Sequence, residues 1–371
     1  MYFYPEIKHI IMQKLSAKAR KLKEDIFSGK RISPESAGLL FDFPLSELAL
    51  MADFRKRQVS GNLIYYNRNI HIEPTNLCVN HCLFCSYRAR KGDAHAWEYS
   101  HAEMENMAQK AIKKGVTEIH VVGGVHPDWD INYYAEILRR IRKFSKTVHV
   151  KAFTAEEIVQ MTKNVGISVE HGLKQLIDAG LNSIPGGGAE IFASKIRKKI
   201  CPDKIDAETW LSVHEAVHNA GLSSNCTMLY GHMESVEDRV FHMLALRDLQ
   251  DKTSGFNAFI PLKFLAANNS MSYLGETSVI DDMRTYAVSR IFLDNIPHLK
   301  AYWPMIGKDN ASVSLGFGVD DMDGTIDDTT KIYSLAGSDE QKPNMRVEEI
   351  RKIADIAGFQ AVERDSLYRE I

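Results

Sequence analysis

Residues 71–92 read HIEPTNLCVNHCLFCSYRARKG and place Cys78, Cys82 and Cys85 within eight positions. Only Cys201 and Cys226 lie elsewhere, far apart and single. Thiolates are soft ligands that suit iron–sulfur clusters and zinc. A structural zinc site wants four closed ligands, commonly as two separated pairs. The C-x3-C-x2-C loop offers three. His81 could supply a fourth, but it sits inside the loop, where the geometry is cramped. Three thiolates on a cubane of four irons leave one iron free to take a small molecule. Spacing favours the cluster, and the other reading is a zinc-stabilised barrel that binds a partner and catalyses nothing.

The totals agree with metal or redox chemistry in a reducing compartment. The chain has 371 residues, 44% hydrophobic and 25% charged, as in ordinary soluble proteins. Its net charge is −2, with no basic tail or stripe, so no nucleic-acid partner is expected. No run of about 18 apolar residues exists, so no membrane span is expected. The opening MYFYPEIKHIIMQKLSAKAR carries Glu6, Lys8 and Lys14 and does not read as a signal peptide. A cytoplasmic location is the expectation, where clustered cysteines serve metals rather than disulfides.

The elements that must position the loop follow a repeated grammar. Residues 1–60 read as a helical extension, with Ser33 and Pro34 opening one helix and LSELALMADFRKR continuing the pattern. NIHIEP (69–74) alternates like a strand and runs into the cysteines. A helix follows, with Ser100 and Glu103 as a capping box, and Met104, Met107, Ala108, Ala111 and Ile112 at helical spacing. Then EIHVVGG, TVHVKAF, LNSIPGGG, LSSNCTMLYG, FNAFIPLKF, LKAYWPMIG and ASVSLGFG read as strands, separated by helices except before the last. Eight strands predict an α/β chain of the (β/α)8 TIM-barrel type over residues 61–335, followed by a C-terminal helical segment, 336–371. The Gly-rich turn of a dinucleotide fold is missing after the first strand. The cysteine loop, GGVHPD, PGGGAE, YGHMES and PLKF all fall at C-terminal strand ends, where barrel chemistry gathers. The Asp-rich GVDDMDGTIDD (318–328) lacks the order of a calcium loop and reads as a solvated loop.

With Phe84 at the aromatic position, the cysteine spacing resembles the radical S-adenosylmethionine (SAM) superfamily motif C-x3-C-x-aromatic-C. The resemblance implies a [4Fe–4S] cluster on Cys78, Cys82 and Cys85 whose open iron chelates SAM. One electron, from a flavodoxin- or ferredoxin-type donor, would then split the sulfonium and release a 5′-deoxyadenosyl radical. VVGGVHPD, IPGGGAEIF, ICPDK and FIPLKF resemble one branch, which contains aminodeoxyfutalosine synthase, cyclic dehypoxanthine futalosine synthase and the tyrosine-using subunit of deazaflavin (FO) synthase. PGGGAEIF with RKKICPDK fits the first best. That resemblance implies a transferase of menaquinone biosynthesis by the futalosine route, with SAM consumed. Its substrate would be 3-[(1-carboxyvinyl)oxy]benzoate, an aromatic dicarboxylate. The siblings would abstract hydrogen and release free 5′-deoxyadenosine.

The same resemblance assigns roles. Phe84 would pack near the cluster and adenine. The backbone of Gly123 and Gly124 would hold the methionyl amine, although Val125 stands where many relatives carry Glu. Glu190 could accept from ribose hydroxyls or pair with Arg197. His126 is the candidate for proton donation or carboxylate binding, the only catalytic side chain expected. Tyr87 could line the pocket, while Arg88, Arg90, Arg197 and Lys263 are the candidates for the substrate carboxylates. Each also has a plain packing or surface role open to it. Glu73 and Asn76 could orient the loop. Cys201 and Cys226 read as small buried residues, and Met104 and Met107 as core.

Overall fold

The computed structural model describes residues 17–326, 331–338 and 341–371. The start of the expected N-terminal extension, and the last two aspartates of the Asp-rich run, lie outside the described residues. Among the described residues, three helices come first: α1 (Ala17–Phe27), α2 (Pro34–Leu40) and α3 (Leu45–Ser60). The Ser33 hydroxyl accepts from Ser36 N at 3.2 Å, and Pro34 opens α2, as the sequence predicts.

Seven parallel strands then form one curled sheet in chain order: β2 (Asn69–Ile72), β3 (Glu118–Val121), β4 (His149–Ala152), β5 (Ser183–Ile184), β6 (Ser223–Tyr230), β7 (Phe256–Lys263) and β8 (His298–Leu299). Helices cover its outside, among them α4 (His101–Lys113), α5 (Ile131–Arg142), α6 (Ala207–Asn219), α7 (Val236–Thr253) and α8 (Val279–Phe292). The Ser100–Glu103 capping box of α4 is present. One buried cluster packs β2–β5 against their helices through Ile72, Val121, Leu138 and Ile184.

The eighth strand is not where the sequence suggests. ASVSLGFG is helical, with Lys308–Ser314 an α-helix and Leu315–Phe317 a 3-10 turn. Its Ala-Ser-Val-Ser alternation mimics a strand, but Ala311, Ser314 and Leu315 are buried at helical spacing, and Ser314 Oγ donates back to Ala311 O at 2.7 Å. LKAYWPMIG is strand only at its start and turns helical from Trp303 to Ile306. The eighth place is filled by β9 (Asp321–Gly324), from the run expected to be a solvated loop. All four of its residues are buried. β9 meets β8 through the Lys300–Asp321 bridge and pairs with β1 (Leu63–Asn67), a strand the sequence reading missed. The C-terminal segment is not purely helical either. After its helix (Val347–Ile356), β10 (Gln360–Glu363) pairs with the other edge of β1. Because β1 and β2 are separated only by Arg68, the three-stranded sheet β10–β1–β9 seals the seam of the curled seven.

Candidate active site

The strands end on a cavity of about 280 Å³ that runs down the barrel interior. Cys78, Cys82 and Cys85 all line it, with Phe84 among them. The loop that carries them is held by its own backbone and by its neighbours. Cys78 N donates to Ala89 O at 3.1 Å, Val79 N to Val125 O at 2.9 Å, and Leu83 N to Ile200 O at 2.7 Å. Asn76 clamps the returning chain: its amide donates to His95 O at 3.0 Å and accepts from Trp97 N at 2.9 Å. Asn76 thus orients the loop. Glu73 instead receives Lys331 N at 2.9 Å and anchors that later segment.

All five cysteines are free thiols. Burial pushes the Cys78 and Cys82 thiols up, so both stay protonated until a metal takes the proton's place. Among the described residues, no three His, Cys, Asp or Glu side chains converge on one ion. His81 Nδ1 lies 2.7 Å from Asp203. A closed zinc site therefore lacks its ligand set, whereas a cluster spreads three thiolates over three irons. The donor set fits the cluster. Cys201 and Cys226 are buried, as expected.

Gly123 and Gly124 follow β3 and line the cavity. A Cβ on Gly123 would stand 2.8 Å from Thr75 O, and one on Gly124 2.2 Å from Leu77 O. Both glycines thus let β3 lie against the cysteine loop. The Pro185–Glu190 loop is equally tight, since a Cβ on Gly186 would sit 2.7 Å from Asn225 O. Glu190, at φ 47°, lines the cavity. Its carboxylate takes Lys204 Nζ at 2.5 Å, not Arg197. Burial opposes the Lys204 ammonium, but Glu190 with Cys82, Glu156 and Cys201 together outweigh it, and its pKa rises well above the usual lysine value.

Several expected roles are not matched by placement. Arg197 is buried and does not line the cavity. Its guanidinium donates to Ala189 O at 2.7 Å, Gly188 O at 3.0 Å and Ile205 O at 2.5 Å, bracing the glycine loop. His126 also lies off the cavity lining. Its Nδ1 accepts from Asp128 N and Trp129 N, so the proton sits on Nε2, which faces Glu98 at 2.8 Å. Burial holds its pKa below the ordinary histidine value, against Glu98. Tyr87 lines the cavity, but its hydroxyl donates to Thr75 O at 3.0 Å. Lys263 lines it with Asp282 at 3.2 Å and Glu276 at 3.5 Å. Arg88 lines it too, and among the described residues its guanidinium makes no hydrogen bond. Arg90 is exposed on the following turn.

Sequence reasoning missed Lys204 and the charged interior formed by Glu118, Lys151 and Lys300. The signal was available in EIHV and HVKA, where ionisable residues alternate along short buried strands.

A parallel barrel with three thiols on the loop after its first strand defines a radical SAM enzyme. The chain belongs to the radical SAM superfamily: the model of that superfamily matches residues 72–245, and the model of the CofH/MqnC C-terminal region matches 253–370. It uses a [4Fe–4S] cluster and SAM. Over 355 residues it is 39% identical to the aminodeoxyfutalosine synthase of Thermus thermophilus, covering 94% of this chain and 95% of that protein. It is 35% identical to a 5-amino-6-(D-ribitylamino)uracil–L-tyrosine 4-hydroxyphenyl transferase of Methanoculleus marisnigri, over 94% and 96% of the two chains. The crystal structure of methylornithine synthase shares the fold, with a TM-score of 0.74 at 13% identity over 92% of this chain and 97% of that one. No described helix is long and apolar enough to cross a membrane.

Proposed function

We propose that this chain joins the adenosyl group of SAM to 3-[(1-carboxyvinyl)oxy]benzoate, giving 6-amino-6-deoxyfutalosine for menaquinone. The observation that carries the reading is the 39% identity to the Thermus thermophilus synthase over nearly the whole chain. When bound on Cys78, Cys82 and Cys85 and reduced by a flavodoxin- or ferredoxin-type donor, the cluster supplies the electron that splits SAM into methionine and a 5′-deoxyadenosyl radical. C5′ would then bond to the enol-ether alkene, the aryl group would move from oxygen to carbon, and the carboxylate would leave as the CO2 radical anion, giving its extra electron back as CO2 forms.

This chain's part is positioning and shielding. Gly123, Gly124 and the Pro185–Glu190 loop bring backbone close to the thiols, where a nucleoside can be held. Glu190 is available to ribose hydroxyls while Lys204 balances its charge. The walls of Val122, Leu229, Ile260 and Leu262 offer the radical no polar quencher and exclude water. Arg88, whose cavity-lining guanidinium makes no hydrogen bond among the described residues and feels the charge of Asp203, takes the enolpyruvyl carboxylate. Arg197 braces the nucleoside loop rather than binding substrate, and His126 braces the loop after β3.

The transferase from Methanoculleus marisnigri supports a second reading, aryl transfer from tyrosine to a ribitylaminouracil. Anaerobic incubation with SAM, dithionite and the enolpyruvyl ether, read by mass spectrometry, separates the two. The proposal expects an adenosylated product. Stoichiometric 5′-deoxyadenosine without adduct rejects it.

A further inference from the structure

Below the apolar walls, the deep end of the cavity is built from charge. Barrel interiors are ordinarily filled by branched aliphatic side chains. Here His71 of β2, Glu118 and His120 of β3, Lys151 of β4, Lys300 after β8 and Asp323 of β9 line the cavity. Lys151 Nζ donates to Glu118 at 2.9 Å, and Lys300 Nζ to Asp323 at 2.7 Å with Asp321 at 4.0 Å. The C-terminal tail holds two of these carboxylates from outside. Ser366 Oγ donates to Glu118 at 2.6 Å, and Arg364 Nε to Asp321 at 2.7 Å.

That arrangement leaves donors over on the cavity side. An ammonium has three N–H groups, and among the described residues each lysine makes its hydrogen bonds to carboxylates only. His120 Nε2 is enclosed with no hydrogen-bond partner among the described residues. An enclosed polar atom left unpaired is costly, and an internal ion network is no more stable than well-packed aliphatics. The charges of Lys151, Lys300 and Arg364 cancel those of Glu118, Asp321 and Asp323. Even so, burial lowers the Lys151 pKa although Glu118 supports its charge, and Lys300 adds a smaller repulsion. An acceptor-only anion between the lysines relieves that repulsion and uses the spare donors. Val122, Ile260, Tyr302 and Met305 also line the cavity, and they suit a flat apolar ring.

We infer that the cavity floor is a carboxylate subsite for an aromatic acid, with Lys151, Lys300 and His120 Nε2 as its donors. The choice of an aromatic acid rests on the proposed reaction, and the choice of a carboxylate rests on the floor itself.

Titration calorimetry on the cluster-reconstituted protein with benzoate and benzamide tests it. The two share a shape, but only benzoate is an acceptor-only anion. Benzoate should bind about 10- to 100-fold tighter, the range expected for charged hydrogen bonds. His120→Phe, which changes no charge, should weaken benzoate about tenfold and leave benzamide unchanged. The paired variant Lys151→Met with Glu118→Gln keeps the net charge and should abolish the preference. Equal or unmeasurable binding of the two by the unmodified protein, tighter binding of p-cresol than of benzoate, or a preference that survives both variants overturns the subsite. The outcome is separable from the reaction itself: adduct formation without a benzoate preference overturns the floor alone, and a preference without adduct overturns the reaction alone.

Discussion

Lys204 Nζ and the Glu190 carboxylate meet at 2.5 Å, nearly enclosed, where the glycine-rich loop after β5 faces the cysteine loop. The pair links ICPDK to PGGGAE, two stretches apart in sequence and far from the cysteines along the chain. Removing the cation alone leaves a buried carboxylate uncompensated. Lys204→Met should therefore cost about 3–5 kcal/mol in denaturant unfolding, and Lys204→Met with Glu190→Gln should recover most of it. Full stability in the single variant would contradict the pairing.

Alanine at Cys78, Cys82 or Cys85 should lower iron and sulfide content and abolish the brown absorbance together with adenosyl transfer. Alanine at Cys226, a buried cysteine outside the loop, should retain iron. Metal analysis and visible spectra of anaerobically purified variants decide it, and a zinc-loaded colourless protein would argue against the cluster.

Gly124→Ala puts a methyl group where Leu77 O stands 2.2 Å away. Such overpacking should cost about 1–3 kcal/mol and reduce cluster retention by shifting the cysteine loop. Gly316→Ala, with nothing within 4 Å of the added Cβ, should leave both unchanged.

Arg88→Gln should raise KM for the enolpyruvyl ether roughly 10- to 100-fold, as expected for a lost charged hydrogen bond. SAM cleavage without substrate should be little affected. A drop in both would mean that the guanidinium supports the cluster loop instead.

Glu157 lies beneath Gly123, with its carboxylate on Thr154 and on Gly123 N at 3.4 Å. Burial raises its pKa from 4.5 to about 7. The folded value exceeds the unfolded one, so this stabilising contribution is full below pH 4.5 and lost as pH rises through about 7. Between those limits the native protein should lose about 3 kcal/mol relative to Glu157→Gln, read from denaturant midpoints at several pH values. Parallel pH profiles for the two proteins would contradict it.

The sequence alone determined the cysteine loop, its specificity for a cluster, and most of the β-then-α order. Those signals are local: three thiols within one loop, a capping box, apolar alternation inside a strand. The last expected strand is helical: Ala-Ser-Val-Ser alternates like a strand while its buried face runs at helical spacing. The Asp-rich run reads as a solvated loop because acids are rarely buried alone. Only the tertiary structure brings Arg290 to Asp320, Arg364 to Asp321 and Lys300 to Asp323, which lets β9 and the residue before it be buried. Roles at the site divide in the same way. A spacing can mark thiols that share a cluster, but it cannot say where a guanidinium or an imidazole spends its hydrogen bonds. Arg197 and His126 spend theirs largely on backbone of their own loops, which only the folded loop geometry brings within reach, while Lys151 and Lys300 face the cavity because their carboxylate partners lie on other strands.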